Sequence, residues 1–370
     1  MKILQITSSF FPVLGGQEKV VYEISKRLVE KGHKVTILTT DLLCEEKVPK
    51  REKLEGIEIV RFKNKLFLGS YGYSPEAIRW LKENYSKYNI VHSHGYNRHL
   101  SEFAIKILYG KIPIIFSPHG FIHTKKNYFF KIIHDITFGR FVKRANLCTA
   151  LTKLDFGEYE KLGVKKEKIV EIPNGVDVEK FSKSKKYDSK KFGDFILYVG
   201  RIHESKGLQY VLEAIKKLDT KLVIVGKDAG YKQDLMEKSK KLGIEKKLIF
   251  LGGIVDEDLI KLYKSSKIFV LFSEWEGFGI VVVEAMAAGK PIIVSNRGSL
   301  PHIVNNKKEG FVVKFKDVKE LHKRIEQLLN DNKLCKNMGI EGKKTSKKYE
   351  WKNIVKKYEE IYNAQIKTQS

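Results

Sequence analysis

The chain has 370 residues, 70 of them Lys or Arg and 44 Asp or Glu, a balance of +26. An apolar fraction of 42% with 11% aromatic residues excludes a mainly disordered chain, and the length suggests two domains, each with its own core. Three widely spaced cysteines, Cys44, Cys148 and Cys335, exclude a disulfide scaffold and a CxxC metal knuckle and fit a reducing cytoplasm. Sixty of the basic residues are Lys and only ten Arg, which suits a solvated or heat-adapted surface better than phosphate recognition by Arg forks. The field still admits nucleic acid, an anionic membrane surface or small phosphorylated ligands as partners.

Met1 leads directly into a strand-like run, with no pattern of a secretion signal. No uncharged apolar stretch approaches the roughly 20 residues that span a bilayer, so a soluble chain is expected. Ile- and Val-rich runs predict strands at Ile3–Thr7, Val35–Thr40, Ile57–Arg61, Ile90–Ser93, Ile112–Ser117, Leu147–Leu151 and Ile169–Ile172. A second series falls at Ile196–Val199, Leu222–Val225, Ile249–Leu251, Ile268–Leu271, Ile292–Ser295 and Gly310–Val313. Amphipathic stretches such as EKVVYEISKRLVEKG lie between them, and this alternation predicts an α/β protein with parallel sheets covered on both faces.

The polar, lysine-rich stretch 182–191 reads as a linker between domains at 1–181 and 192–350. Two doubly wound parallel sheets facing across a cleft are the expected architecture, with strand C-termini converging on a ligand. The last stretch, 351–370, reads as an amphipathic helix carrying Trp351, Ile354, Tyr358 and Ile361, suited to packing back across the junction.

Chemistry concentrates at strand ends. After Ile268–Leu271 the chain runs through Glu276 and the turn Gly277-Phe278-Gly279 into a helix that opens near Ile280 and closes at Gly289. The unpaired N–H groups and dipole of such a helix start suit an anion, here a diphosphate. Glu276 and Glu284, eight residues apart, could flank one ligand, one reaching sugar hydroxyls and the other a ribose diol. Glu276 could equally just complement the dipole. Glu284, inside the apolar run IVVVEAMAA, needs a partner.

After Ile196–Val199, Arg201 and Lys206 sit where two cations could hold a departing diphosphate. Gly15-Gly16 precede a helix start, a weak anion signal without the G-x-G-x-x-G fingerprint. His119, between Pro118 and Gly120 at a strand end, could meet a sugar hydroxyl or handle a proton. His92 and His94 read as structural, Asn174-Gly175 as a tight turn, and no zinc-ligand spacing appears.

Taken together, GGQE at 15–18, HG at 119–120, NGVD at 174–177, GR and KG within 200–207, and the Glu276–Glu284 pair resemble glycosyltransferase family 4, retaining enzymes of the GT-B fold. The resemblance spans nearly the whole chain. It implies two Rossmann-like domains, the first on the acceptor side and the second holding a nucleotide-sugar donor. By it, Arg201 and Lys206 bind the diphosphate, Glu276 the donor-sugar hydroxyls and Glu284 the ribose. Gly277, Phe278, Gly279, Ile280 and Val281 would line the sugar and phosphates, Gly16 would approach the diphosphate, and His119 would lie beside the sugar. His119, Glu276, Arg201 and Lys206 form the implied catalytic set, with no metal and no cofactor besides a UDP- or GDP-sugar. The implied reaction moves a hexose with retention, by front-face attack within an ion pair, to a polysaccharide, glycolipid or glycoprotein precursor.

Between His119 and Arg144 the chain mixes Tyr128, Phe129, Phe130, Ile132, Ile133 and Ile136 with Lys125, Lys126, Lys131, Arg140, Lys143 and Arg144. Such a stretch could lie on anionic lipid, peripheral at the cytoplasmic membrane face, or pack as an ordinary helix on the first sheet. The competing functions are a soluble-acceptor enzyme of the sucrose-phosphate or glycogen synthase type and a basic nucleic-acid-binding protein. The latter lacks a recognition-helix or RNA-binding aromatic pattern, so no nucleic-acid partner is expected. A dinucleotide-dependent oxidoreductase is disfavoured by the missing fingerprint.

Overall fold

The computed structural model describes residues 1–13, 15–44, 46–68, 71–96, 98–121, 128–184 and 192–368, with backbone alone for 66–68, 71 and 128–130. The chain forms two units, Met1–Asn174 with Trp351–Ser370, and Gly175–Glu350. The first contains β1 (Lys2–Ile6), β2 (Lys34–Thr40), β3 (Arg51–Leu54), β4 (Ile57–Phe62), β5 (Leu66–Leu68), β6 (Tyr71–Tyr73), β7 (Ile90–His94), β8 (Ile114–Ser117), β9 (Leu147–Ala150) and β10 (Ile169–Glu171). The second contains β11 (Phe195–Val199), β12 (Lys221–Val225), β13 (Leu248–Gly252), β14 (Ile268–Leu271), β15 (Ile292–Ser295) and β16 (Gly310–Val313).

The main sheet of the first unit runs β10-β9-β8-β7-β1-β2-β4-β3, parallel throughout except for β3. The sheet of the second runs β13-β12-β11-β14-β15-β16 and is wholly parallel. Most of these strands are buried along their length, as sheets covered on both faces require, which is why their sequences are continuous apolar runs. In each sheet the strand order reverses beside the unit's first strand, at β1/β7 and at β11/β14. Such a switch point leaves a crevice at the strands' carboxyl ends.

The structure adds β3 and the β5–β6 hairpin to the strands expected. Strand β3 is the polar edge segment Arg-Glu-Lys-Leu, joined to β4 through Glu55-Gly56, both at positive φ (46° and 84°). That two-residue hairpin turn, not apolar alternation, makes the strand.

The division between units falls at Asn174-Gly175, ahead of the expected linker. Val176 donates its N–H to Tyr349 O at 2.7 Å, and Phe181, on helix Val178–Lys183, packs on Tyr263, so this segment belongs with the second unit. Of the expected linker, 185–191 lies outside the described residues. The last helix, Trp351–Lys367, groups with the first unit. There Arg27 stacks over Trp351 at 5.2 Å, and Glu359 pairs with Lys31 and His33 at 2.7 and 2.8 Å.

Candidate functional site

In the second unit, Glu276 lies in the loop leaving β14 and Lys206 in the loop leaving β11, on either side of the switch point. Lys206 Nζ and Glu276 Oε1 are 2.5 Å apart, and Ser273 Oγ donates to the same carboxylate oxygen at 2.9 Å. At 14% and 16% side-chain exposure, the pair is shielded yet reachable. Lys206 is brought there by Gly207, at φ 69°, where a Cβ would stand 2.1 Å from Phe272 O; only glycine allows that approach.

The loop after β15 fixes the backbone of the Glu276 loop. Ser299 N–H donates to Glu276 O at 3.1 Å, and Ser299 Oγ to Glu276 O and Phe278 O at 3.1 and 2.9 Å. Gly279, at φ 84°, then caps helix Ile280–Ala287, whose first N–H groups have no partner within the helix. Gly277 and Val281, like Ile280, are half-buried, while the Phe278 ring is buried beside Tyr349.

Arg201 is exposed, and its carbonyl accepts from Tyr198 OH at 2.8 Å. Burial raises the Tyr198 phenol; the Glu276 carboxylate raises it further and the Arg201 guanidinium opposes this, so both charges act on one buried ring. Glu284 is half-buried and has the partner its apolar surroundings demand: Tyr263 OH donates to its Oε2 at 2.9 Å. A cation paired with a carboxylate, a second cation and a helix start thus share one sheet edge. That set can neutralise a diphosphate and accept hydroxyl protons.

In the first unit, His119 follows β8 at φ 55° and its Nε2 lies 2.8 Å from His94 Nδ1. His92 and His94 point to one face of β7, fully buried. Burial pushes both well below the usual imidazole range and His119 down to about 4, so all three are neutral near pH 7. Gly16 opens helix Gly16–Glu30 with open space where its Cβ would be. The Glu18 carboxylate folds back over Gly15 and accepts from Ser9 Oγ at 2.5 Å, so negative charge already lies at that helix start.

A cavity of about 320 Å³ lies beyond β2 and β4, lined by Asp41, Lys50, Arg61, Phe62 and Glu76 among others. Helix Tyr128–Thr137 turns Lys131 and His134 inward, onto Asp135 and Glu158 and onto Glu102, and exposes Ile132, Ile133 and Ile136. Lys125 and Lys126 lie outside the described residues, as do the side chains of Tyr128, Phe129 and Phe130. Among the described residues, no helix is long and apolar enough to cross a membrane, and no group of three His, Cys, Asp or Glu could hold a metal ion.

Two parallel sheets, each reversing its strand order beside the unit's first strand, have the architecture of the GT-B fold. Residues 14–180 match glycosyltransferase family 4 and residues 179–345 match glycosyl transferases group 1. The chain belongs to this family of glycosyltransferases. It is 26% identical to the GDP-mannose:cellobiosyl-diphosphopolyprenol alpha-mannosyltransferase of Xanthomonas campestris, over 100% of this chain and 98% of that one. Sucrose-phosphate synthase of Thermosynechococcus elongatus has the same fold, with a TM-score of 0.80 at 19% identity over 100% of both chains. So does Anabaena HepE, solved in complex with UDP, with a TM-score of 0.78 at 19% identity over 98% of this chain and 100% of that one.

The sequence reading did not single out Ser273, Tyr263, Gly298 or Ser299. Ser273 carried a signal, three residues before Glu276 at a strand end. The Gly298-Ser299 pair after the strand Ile292–Ser295 carried another, a glycine turn on the same sheet edge. Tyr263 carried none, because its contact with Glu284 joins two helices.

Proposed function

We propose that the protein transfers a hexosyl group, with retention, from a UDP- or GDP-sugar to a hydroxyl of a polysaccharide, glycolipid or glycoprotein-precursor acceptor. The observation that carries this reading is the Lys206–Glu276 pair at the β11/β14 switch point beside the start of helix Ile280–Ala287. A donor exchanges that pair for two better matches: the ammonium meets a phosphate oxygen, and the carboxylate meets sugar hydroxyls. Arg201 and the helix N–H groups share the diphosphate charge, and Glu284 takes the ribose diol. For the first unit we propose the acceptor side, with His119 facing a sugar hydroxyl; the Glu18 carboxylate at the Gly16 helix start disfavours a bound anion there.

In the reaction, the bond from the anomeric carbon to the phosphate oxygen breaks, and its electron pair stays on the diphosphate. The acceptor oxygen bonds the same face of that carbon, and the acceptor proton passes to the leaving phosphate oxygen. Lys206 and Arg201 stabilise the charge as it grows, which is where fixed cations lower a barrier. The reading needs no resident metal or cofactor. The named relative that acts on a diphosphopolyprenol supports a lipid-linked acceptor, and the exposed Ile132, Ile133 and Ile136 give such an acceptor's membrane a contact on the first unit.

Thermal shifts with UDP-glucose, UDP-N-acetylglucosamine and GDP-mannose select the donor, since binding raises stability with ligand excess over Kd. Glu276→Ala should then abolish transfer of that sugar. A variant transferring at the wild-type rate would overturn the site.

A further inference from the structure

Six side chains of the first unit form an unbroken hydrogen-bond chain. Ser117 Oγ lies 2.7 Å from His92 Nε2, and His92 Nδ1 lies 2.6 Å from Tyr362 OH. Gln5 Nε2 is 3.4 Å from that hydroxyl, and Gln5 Oε1 is 2.5 Å from His94 Nε2. His94 Nδ1 then meets His119 Nε2 at 2.8 Å. Gln5, His92, His94, Ser117 and Tyr362 are all at most 2% exposed, so water does not replace a missing partner.

Each neutral imidazole has one N–H and one lone pair, and a carbonyl oxygen only accepts. The direction of the chain is therefore set at Gln5. Its Oε1 faces His94, so His94 Nε2 carries the hydrogen and His94 Nδ1 is a lone pair. His119 Nε2 must then donate, which leaves His119 Nδ1 as a bare acceptor. That nitrogen is buried and has no hydrogen-bond partner among the described residues. The other half is consistent: Gln5 Nε2 donates to Tyr362, Tyr362 to His92 Nδ1, and His92 Nε2–H to Ser117. Ser117 continues to Thr149 Oγ1 at 2.5 Å. Every donor in the chain meets an acceptor.

We propose that Gln5 and His94 are positioning residues that hold His119 in its Nε2–H tautomer, so that His119 Nδ1 accepts a hydrogen bond from a substrate hydroxyl. The proposal rests on the transfer reading for its substrate, but the tautomer is a property of the chain itself. It also sets specificity. A sugar hydroxyl can donate to that nitrogen, whereas a carboxylate or a fluorine in its place cannot.

Long-range ¹H–¹⁵N correlation spectra of the full-length protein with ¹⁵N-labelled histidine read the tautomer directly, with His119→Gln assigning the His119 signals. The expected spectrum has His119 protonated at Nε2 and bare at Nδ1. Protonation at Nδ1 would mean that the chain runs the other way, with the Gln5 amide reversed, and would overturn the proposal. Gln5→Met removes the directing carbonyl with little change in volume, and both His119 tautomers should then appear. A folded Gln5→Met protein with the wild-type pattern would also refute it. The wild-type spectrum decides the direction even if that variant does not fold.

In transfer assays, Gln5→Met should lower kcat/KM for the donor or acceptor about five- to tenfold, the worth of one oriented hydrogen bond. An analogue with fluorine replacing the contacted hydroxyl should lose the wild-type advantage over Gln5→Met. An unchanged ratio of the two enzymes across all single-hydroxyl analogues would count against it. A protein with the expected tautomer and no transferase activity would sink the transfer reading and leave the tautomer assignment standing.

Discussion

The sheets of the two units reverse at the same point, yet their carboxyl edges carry opposite chemistry. At β11/β14 the groups are full charges, Arg201, Lys206 and Glu276, partly open and held by glycine turns. At β1/β7 they are neutral imidazoles and an amide, buried and joined end to end. The shared topology says where a ligand goes; the side chains say what is done to it. A charged edge can stabilise a leaving diphosphate, whereas a neutral one can orient a hydroxyl without drawing counterions into the core.

The sharpest way to break that contrast is to disturb the charged edge without removing a charge. Gly298 sits at φ 58°, and a Cβ there would stand 2.5 Å from Glu276 O and 2.7 Å from Glu276 N. Gly298→Ala must push the Glu276 loop aside, since the atoms it meets are backbone. If Glu276 holds the donor sugar as proposed, displacing it by about 1 Å costs on the order of 100-fold in rate, so kcat/KM should fall by about that factor. Steady-state kinetics on the folded variant check it. A wild-type rate would mean that the Glu276 position is not what the second unit contributes.

The neutral edge predicts an acid-sensitive first unit. His92 and His94 are held well below 6.5 by burial, and His119 is lowered to about 4 for the same reason. The native state therefore binds fewer protons than the unfolded chain, and stability present above pH 6.5 is lost as pH falls towards 4. His134 works in the other direction. Burial pulls it down, but Asp135 and Glu102 outweigh this and raise it to about 9. Its contribution is full below pH 6.5 and lost as pH rises through 9.

The first unit should thus lose stability as pH falls from 6.5 to 5.5, because His92, His94 and His119 resist taking up protons in the core, with Asp155, raised to about 6 by burial, opposing part of the loss. The histidines of the second unit, His203, His302 and His322, are not buried, so its unfolding should respond less over that step. Hydrogen exchange resolved by segment at the two pH values separates the units. Equal responses would remove the contrast.

What could be read in advance followed the same division. The strands built from Ile and Val runs appear close to their expected bounds, because burial on both faces demands such runs. Strand β3 was hidden by its charges and depends on a two-residue turn. Arg201, Lys206 and Glu276 stood out because glycines beside strand ends mark close approaches within a few residues. The Gln5–His94–His119 chain did not, since it depends on β1 pairing with β7, Gln5 opposite His92, and on a helix that returns more than 300 residues later with Tyr362. Local spacing carries no trace of such register.

The smallest expected effect tests whether buried phenols do for the charged edge what the histidine chain does for the neutral one. Tyr263 is fully buried, and its ring packs on Phe181 and Phe269 with centroids 5.8 and 5.6 Å away. Tyr263→Phe keeps that packing and removes only the hydroxyl that donates to Glu284 Oε2. If Glu284 holds the donor's ribose, the loss loosens ground-state and transition-state binding alike. The donor KM should then rise roughly three- to tenfold with kcat unchanged, the worth of one ordinary hydrogen bond acting through Glu284. A fall in kcat instead would place Glu284 nearer the reacting bond than the ribose. An unchanged KM would show that the phenol merely satisfies a half-buried carboxylate, leaving the charged edge without the buried orienting groups of its counterpart.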